Sequence, residues 1–300
     1  MKRCQVYQVD AFTKNRFEGN PAGVVSNADG LSVSQMQAIA RELNNSETAF
    51  ILSPTGPDHD VWVRFFTPTT EVPLCGHATI SAHYVRAVEN QLGSCLIKQR
   101  TGAGILPVEV VQQKEDYKIV MTQGSIEISP PLLEQNKKDI LAALNLLETD
   151  LDEQCPIQIV SAGHSKVIIG IKSRATLNSL TPDMTLLSNI SRAIRSMGFF
   201  IFTLDSDIDE ILTHARMFAP AIGIQEDPVT GNGNGPLGAY LFHNGIVGAD
   251  NGSFTFLGKQ GEAIGRPGLV EVTVDVVAGQ PKMVRITGDA VINFKTEMLI

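Results

Sequence analysis

Apolar residues in this chain recur mostly in short alternating runs rich in Val, Ile, Phe and Thr, a pattern typical of β-strands. These runs predict strands at residues 3–10, 22–26, 48–53, 60–66, 95–99, 104–111, 117–122, 156–160, 166–171, 198–204, 214–218, 254–257, 269–276, 282–287 and 290–296. Helical spacing of apolar residues predicts helices at 33–43, 77–88, 137–147, 186–197 and 236–243. Ser32 and Gln35 have the spacing of a capping box at the first helix. Because strands predominate and do not alternate regularly with helices, the pattern predicts an α+β fold.

A motif in two parts occurs twice. The sequence RFFTP at 64–68 precedes PLCGHA at 73–78, and RMFAP at 216–220 precedes PVTGNG at 228–233. The first parts lie 152 residues apart and the second parts 155, about half of the 300-residue chain. This period is too long for a solenoid or propeller unit. It predicts two domains of common ancestry, each with strands wrapped around one central helix.

The boundary between these domains is expected in the stretch 124–138, which has loop-like composition and contains two consecutive prolines. The prediction is an N-terminal half over 1–124 and a C-terminal half over 125–300. The last segment, 290–300, is predicted as a strand that is able to return to the N-terminal half.

Composition and charge argue against several classes of function. The net charge of −8 disfavours binding of nucleic acid or of an anionic membrane through a broad basic surface. No apolar run reaches the length of a membrane span, and no N-terminal secretion signal is recognised, so the cytoplasm is the expected location. The four cysteines have no metal-binding spacing, and no metal is expected: Cys4, Cys75, Cys95 and Cys155.

Glycines precede two helical stretches at matching positions of the repeat, Gly76 and Gly231. A helix N-terminus has unpaired backbone N–H groups and a partial positive charge, and glycine leaves that backbone accessible. Such a position binds a carboxylate or phosphate without Lys or Arg. We therefore expect the two repeats to converge and to hold a small anionic substrate between the domains. The alternative interpretation is two ordinary capped helices.

Three side chains near these helix starts are candidates for proton transfer. Glu47 lies between a predicted helix and an apolar strand, where partial burial raises the pKa of a carboxyl group toward that of a general base. His77 follows Gly76 and is able to donate a proton or a hydrogen bond. Asp227 precedes Pro228, a combination that is also common in turns. Each also has an interpretation without a catalytic role. Glu47 would be a solvated carboxylate in a loop, His77 a structural histidine at a helix start, and Asp227 a turn residue.

The glycines Gly233, Gly235 and Gly238 have the spacing of a dinucleotide-binding motif. That motif requires a strand directly before it, and Pro228 interrupts the approach. Asp250, at the distance of a ribose-binding acid, lies in a turn-like sequence. Nucleotide binding is therefore not expected.

The motifs above resemble those of a known family. Over essentially its whole length the chain is similar to the phenazine-biosynthesis PhzF-like proteins, and among them most to the YddE-like members. The resemblance rests on DAFT at 10–13, GNPAGV at 19–24, SETAF at 46–50, FTP at 66–68, EVP at 71–73, CGHAT at 75–79 and EDPVTGN at 226–232.

This resemblance implies the diaminopimelate epimerase fold, with two pseudo-symmetric domains, each a curved, mostly antiparallel sheet around a central helix, and a site in the cleft between them. It also implies a homodimer, no cofactor, and isomerisation by proton movement, in the phenazine enzymes on a dihydro-hydroxyanthranilate. The family's acid/base Glu corresponds to Glu47, its His to His77 and its Asp to Asp227. The matching motifs place substrate-binding groups at Asn20, Cys75, Gly76, Thr230, Gly231 and Asn232.

Epimerases of this fold use two cysteine bases, one in each domain, and the corresponding residues here are Cys75 and Thr230. A Thr hydroxyl is too weak a base to remove a proton from carbon near neutral pH, which argues against a symmetric two-thiol racemase. The sequence therefore predicts a cofactor-independent isomerase of a small carboxylate, with Glu47 as general acid/base. The alternatives are an epimerase of amino or hydroxy acids that uses Cys75 with Glu47, and a small-ligand binding protein without catalysis.

Overall fold

The computed structural model describes residues 3–300. Its strands are β1 (Arg3–Ala11), β2 (Asn20–Val25), β3 (Thr48–Leu52), β4 (Val61–Phe66), β5 (Glu71–Val72), β6 (Cys95–Thr101), β7 (Gly104–Gln113), β8 (Asp116–Thr122), β9 (Ile126–Pro131), β10 (Gln158–Ala162), β11 (Ser165–Gly170), β12 (Phe199–Thr203), β13 (Ile211–Ala219), β14 (Ile224–Asp227), β15 (Ser253–Gln260), β16 (Gly268–Val277), β17 (Gln280–Gly288) and β18 (Ala290–Leu299). Its helices are α1 (Val33–Leu43), α2 (Gly76–Asn90), α3 (Glu134–Leu144), α4 (Arg174–Ser179), α5 (Met184–Ile194) and α6 (Gly231–His243). Within that range, none of the helices combines the length and the apolar character that a membrane crossing requires.

The chain forms two compact units. Unit 1 comprises residues 3–122 and 287–300, and unit 2 comprises residues 123–286. In unit 1 the C-terminal strand β18 pairs antiparallel with β1 along the whole of β1. Strands outnumber helices in both units, which confirms the predicted α+β class.

The strands of unit 1 pair in the order β18-β1-β2-β3-β4-β6-β7-β8, and the short β5 pairs with β4 beside β6. The β2–β3 and β4–β6 pairs are parallel and the other pairs are antiparallel. One face of this sheet is covered by α1, whose Met36 and Ile39 pack with Phe50. The predicted capping box of Ser32 and Gln35 is present at the start of α1. The central helix α2 packs against the opposite face and is buried along most of its length.

Unit 2 has the strand order β9-β10-β11-β12-β13-β15-β16, with the short β14 on β13. Its parallel pairs are β11–β12 and β13–β15. Helices α3, α4 and α5 cover one face, where Leu141, Leu177 and Leu187 pack with Ile169 and Phe199. The other face is covered by the central helix α6, which is almost entirely buried.

The two units repeat one pairing scheme. Strands β9 to β16 correspond in order to β18 and then β1 to β7, and each pair has the same direction as its counterpart. The central helices occupy equivalent places, because α2 follows β5 and α6 follows β14. The predicted pseudo-symmetry is therefore confirmed by strand pairing.

The arginine that opens the repeated motif has the same structural role in both units. On β4, Arg64 donates two hydrogen bonds to Glu71 on β5, each at 2.7 Å. On β13, Arg216 donates two to Glu226 on β14, at 2.9 and 2.8 Å. Paired N–H groups of a guanidinium match the two oxygens of a carboxylate. Each pair holds the short strand that leads into a central helix, which explains why the arginine recurs.

Close packing explains the glycines that resemble a dinucleotide-binding motif. Gly233, Gly235 and Gly238 lie inside α6. A Cβ on Gly233 would lie 2.3 Å from the ring of Phe200, and one on Gly238 would lie 2.9 Å from the side chain of Val272. Because real Cβ atoms do not approach that closely, these glycines allow the helix to lie against the sheet.

The structure differs from the sequence predictions at several boundaries. The stretch 124–138, predicted as a loop, contains β9, since its prolines lie at the end of the strand, where they are tolerated. Helix α3 begins at Glu134 and helix α6 at Gly231, both earlier than predicted. In α6, packing against the sheet overrides the low helix propensity of its glycines. The short elements β5, β14 and α4 were not predicted, because periodicity cannot be recognised over two to six residues.

Candidate active site

Strand alternation determines which side chains face α2 in unit 1. Phe50 belongs to the cluster on the α1 side of the sheet, so its neighbour Ala49 faces α2. Glu47 lies two residues before Ala49 and therefore on the same face, directly before β3. Its carbonyl oxygen accepts a hydrogen bond from the amide of Gly23 at 3.3 Å, which continues the β2–β3 pairing to this position. The sheet thus directs the Glu47 side chain toward the central helix.

His77 lies at the centre of a cluster at the start of α2. Its Nε2 is 3.4 Å from Oε2 of Glu47 and 3.3 Å from Oγ of Ser46. Its Nδ1 is 3.4 Å from Sγ of Cys75. The side chains of Glu47 and His77 are 13% and 8% exposed, so water screens their interaction only weakly. The imidazole therefore holds the carboxylate in a defined place, and Ser46 is a contributor that the sequence analysis missed.

The first turn of α2 is accessible to an anion. Cys75 is the N-cap residue, and its side chain makes no capping hydrogen bond. A Cβ on Gly76 would meet no atom within 4 Å, so the backbone there has room for a ligand. Asn20, at the start of β2, is buried. It lies four residues before Val24 and therefore on the same face of β2. Because Val24 pairs with Ala49, which faces α2, Asn20 faces α2 as well.

The same cluster has the ligand types of a metal site. Glu47, Cys75 and His77 offer a carboxylate oxygen, a sulfur and an imidazole nitrogen within 4.8 Å of one another. All three are zinc ligands in proteins. Sequence spacing did not reveal the group because its members come from a loop, an N-cap and a helix. The expectation that no metal is bound stays a prediction.

In unit 2, Asp227 lies beside the start of α6. It pairs with Met217, and the next residue, Phe218, belongs to the cluster under helices α3, α4 and α5. Met217 and its partner Asp227 therefore face the other side of the sheet, which α6 covers. Its Oδ2 accepts a hydrogen bond from Oγ1 of Thr230 at 2.5 Å. Thr230 is the N-cap residue of α6, and this bond ties the carboxylate to the helix start.

Gln260 on β15 organises this loop. Its Oε1 accepts hydrogen bonds from the amide of Thr230 at 3.0 Å and from Nδ2 of Asn234 at 3.1 Å. Its Nε2 donates to the carbonyl oxygen of Asp227 at 2.8 Å and to Oγ1 of Thr230 at 3.1 Å. No sequence pattern indicated this residue, because an isolated glutamine 30 positions after Thr230 carries no recognisable signal.

The first residues of α6 are Gly231 and Asn232. The Nε2 of Gln123 donates to the carbonyl oxygen of Gly231 at 2.9 Å and to Oδ1 of Asn232 at 3.2 Å. These contacts fix the backbone of the first turn, whose amide groups are the hydrogen-bond donors that an anion uses at a helix N-terminus.

The predicted site residues form two groups, one in each unit. The group at α2 contains Asn20, Glu47, Cys75, Gly76 and His77. The group at α6 contains Asp227, Thr230, Gly231 and Asn232. That both groups border one shared cleft stays a prediction.

The two groups are chemically different despite the repeated fold. By strand register, Glu47 beside β3 corresponds to Gly198 beside β12. Asp227 on β14 corresponds to Val72 on β5. Each unit therefore has a carboxylate at a position where the other has none, and the one in unit 1, Glu47, is in contact with the imidazole of His77.

The model of a family described as phenazine biosynthesis-like proteins matches residues 9–296. The chain belongs to the PhzF family. An uncharacterised isomerase of Clostridium acetobutylicum is 56% identical to it over 300 residues, covering 100% of this chain and 99% of the relative. The uncharacterised isomerase YddE of Escherichia coli is 49% identical, covering 99% and 98%. The predicted resemblance to YddE-like members of the PhzF family is thus confirmed.

One PhzF relative has a named reaction. The trans-2,3-dihydro-3-hydroxyanthranilate isomerase of Pseudomonas chlororaphis is 31% identical, covering 94% of this chain and 95% of the relative. Since the PhzF relatives are named isomerases, this chain is a PhzF-like isomerase.

Solved structures confirm the fold. The PhzF-family protein of Bacillus anthracis has a TM-score of 0.90 at 30% identity, covering 100% of both chains. A hydroxyproline epimerase of Agrobacterium vitis has a TM-score of 0.64 at 14% identity, covering 99% and 92%. The latter shows that the PhzF architecture is shared with amino-acid epimerases.

Proposed function

We propose that this PhzF-like isomerase moves a proton between two carbons of a small carboxylate substrate without a cofactor, and that Glu47 is the general acid/base. The contact between Glu47 and His77 carries the proposal, because it holds a largely buried carboxylate at the start of α2. Such a carboxylate removes a proton from an activated C–H group and returns it at another carbon.

The helix starts supply the electrostatic part of the proposed reaction. Amide groups at Gly76 and Gly231 bind the substrate carboxylate and stabilise the negative charge that develops when the proton leaves. His77 and Asp227 orient the ring or amine groups of the substrate. This assignment requires that both units face one cleft, and it is proposed together with the homodimer and the cytoplasmic location expected from the sequence.

Solvent exchange tests the proposed reaction. We expect the protein to incorporate deuterium from D₂O into trans-2,3-dihydro-3-hydroxyanthranilate or a related cyclic carboxylate, as read by NMR and mass spectrometry. A protein that binds such compounds in a thermal-shift assay but exchanges none of their C–H protons would instead be a binding protein, and the proposed isomerase activity would be wrong.

An epimerase that uses Cys75 is the second candidate, favoured by the 3.4 Å approach of Sγ to Nδ1 of His77. An adjacent histidine promotes thiolate formation and so activates a cysteine. The isomerase proposal, in which Cys75 lies beside the substrate but takes no proton from it, predicts that Cys75→Ala lowers the exchange rate by less than the roughly 100-fold that loss of a catalytic base costs. Loss of exchange in Cys75→Ala, with folding retained by circular dichroism, supports the epimerase instead.

A further inference from the structure

The group at the start of α2 contains three side chains that are able to bind one metal ion together. Oε2 of Glu47 lies 3.4 Å from Nε2 of His77, and Sγ of Cys75 lies 4.0 Å from the same nitrogen. The ligand atoms of the three residues are all within 4.8 Å of one another. In residues 3–300, no other group of three His, Cys, Asp or Glu side chains brings its ligand atoms this close. A transition-metal ion bound by this chain is therefore expected at this cluster.

The distances between the ligand atoms fit a zinc ion. Zinc binds its ligands in a tetrahedron at about 2.0–2.3 Å, which places nitrogen and oxygen ligands about 3.3 Å apart and a sulfur ligand about 3.6 Å from either of them. The contact between Glu47 and His77 already has the first of these spacings. To reach the second, Sγ of Cys75 has to approach His77 by about 0.4 Å, a small side-chain movement.

The surroundings of the cluster also suit a bound ion. The side chains of Glu47 and His77 are 13% and 8% exposed and Cys75 is 7% exposed, so an ion among them is largely shielded from water. A Cβ on Gly76 would meet no atom within 4 Å, so there is room beside the cluster for an ion to enter and to keep a water molecule as its fourth ligand.

Charge favours a divalent cation at this place. A thiolate from Cys75 and the carboxylate of Glu47 supply two negative charges, whereas the N-terminus of α2 supplies about half a positive charge. A helix N-terminus also favours the thiolate form of a cysteine, which is the form that binds a metal. The negative charge of the two ligands therefore outweighs the helix dipole, and a Zn²⁺ ion neutralises it.

We propose that Glu47, Cys75 and His77 form a Zn²⁺ site, and that the bound ion inhibits the isomerase by occupying the carboxylate that acts as base. The reaction itself stays free of a cofactor, because the ion takes the lone pair with which Glu47 accepts the proton. Zinc binding is inferred from geometry alone, whereas its inhibitory effect rests on the proposed function. Mg²⁺ and Ca²⁺ should have no effect, since they prefer oxygen ligands.

Competition with a chromogenic chelator measures Zn²⁺ binding to the full chain after its metals have been removed with EDTA. We expect one ion per chain. Cys75→Ala and Glu47→Gln should each weaken binding by at least about 100-fold, since loss of even an outer-shell partner of a metal ligand costs about 10- to 100-fold. Cys95→Ala and Glu109→Gln are the matched controls, because both residues are exposed on strands of the same unit, and they should leave the affinity unchanged.

Co²⁺ provides a spectroscopic test that requires no enzyme activity. It binds to the same nitrogen, oxygen and sulfur donors as Zn²⁺. Coordination by a thiolate gives Co²⁺ a charge-transfer absorption band in the near ultraviolet. The wild type and Cys95→Ala should show this band and Cys75→Ala should not. A merely structural role of Cys75 would produce no band in any of the three proteins.

Inhibition is read as the ratio of the deuterium-exchange rates with and without Zn²⁺, measured for each protein against its own zinc-free rate. At about ten times the wild-type Kd the wild-type rate should fall about tenfold, because about a tenth of the sites stay empty. The rate should recover when EDTA is added. In Cys75→Ala the same Zn²⁺ concentration should leave the ratio close to one.

The metal site is overturned if the wild type does not compete with the chelator for Zn²⁺, or if tight binding and the Co²⁺ band persist in Cys75→Ala. Full exchange activity with the site occupied overturns the inhibitory role. Failure of the proposed function is seen separately, as absence of deuterium exchange in a metal-free protein whose Zn²⁺ affinity depends on Cys75 as expected.

Discussion

Replacement of Glu47 by Gln is expected to lower the rate of deuterium exchange by about 100- to 10,000-fold while ligand affinity changes little. Gln keeps the shape of the side chain and a polar group beside His77, but its amide cannot accept a proton at neutral pH. The substrate contacts proposed at the helix starts are backbone groups that the substitution does not alter. Exchange followed by NMR, together with affinity from calorimetry, measures the two effects separately.

Glu109→Gln is the control for this experiment. Glu109 is an exposed residue on β7 of the same unit, so the substitution removes one carboxylate of unit 1 without touching the proposed site or the β4–β5 pairing. Its exchange rate should equal that of the wild type. If Glu47→Gln retains a rate within about tenfold of the wild type, a smaller loss than removal of a general base produces, Glu47 is not the base.

The sequence was sufficient to predict the repeat and the group at α2, for different physical reasons. The Arg is present in both repeats because it forms the same bidentate ion pair in each unit, so the duplication can be recognised in the sequence. Glu47 and His77 lie in short motifs next to predicted element ends, which is where strand pairing and a helix start bring side chains together.

Other parts of the site have no local signal. Gln260 reaches Thr230 through pairing of β13 with β15, a contact set by the register of distant segments. The burial of Lys166 on β11 follows from which face of the sheet α6 covers, and a local sequence pattern does not reveal that. The early start of α6 was missed because its glycines serve packing against Phe200 rather than helix propensity.

The strand register also explains why the two units have different side chains at equivalent positions, Glu47 in unit 1 and Gly198 in unit 2. Gly198 has a φ of 157°, a backbone conformation that residues with a side chain rarely adopt, and a Cβ there would lie 2.8 Å from the carbonyl oxygen of Phe218. A carboxylate equivalent to Glu47 therefore cannot be introduced in unit 2 without moving backbone. This steric restriction makes a symmetric pair of carboxylate bases incompatible with the present structure and supports a single base in unit 1.

Arg216→Met is expected to destabilise the protein by about 3–5 kcal/mol, because it leaves a largely buried carboxylate without its partner. The Glu226 side chain is 13% exposed, and Arg216 also donates hydrogen bonds to the carbonyl oxygens of Leu177 at 3.1 Å and Leu180 at 2.9 Å, around the end of α4. The free energy of unfolding, from urea titration followed by circular dichroism, measures the loss.

Arg64→Met tests whether burial rather than the repeated motif determines that loss. The geometry of the ion pair is the same, but Glu71 is 41% exposed and becomes solvated when Arg64 is removed, so a cost of about 1 kcal/mol is expected. Equal losses for the two variants would contradict the argument. Combining Arg216→Met with Glu226→Leu should recover the part of the loss due to the unpaired carboxylate. It should not recover the part due to the α4 carbonyl groups, because the double variant supplies no donor to replace the guanidinium.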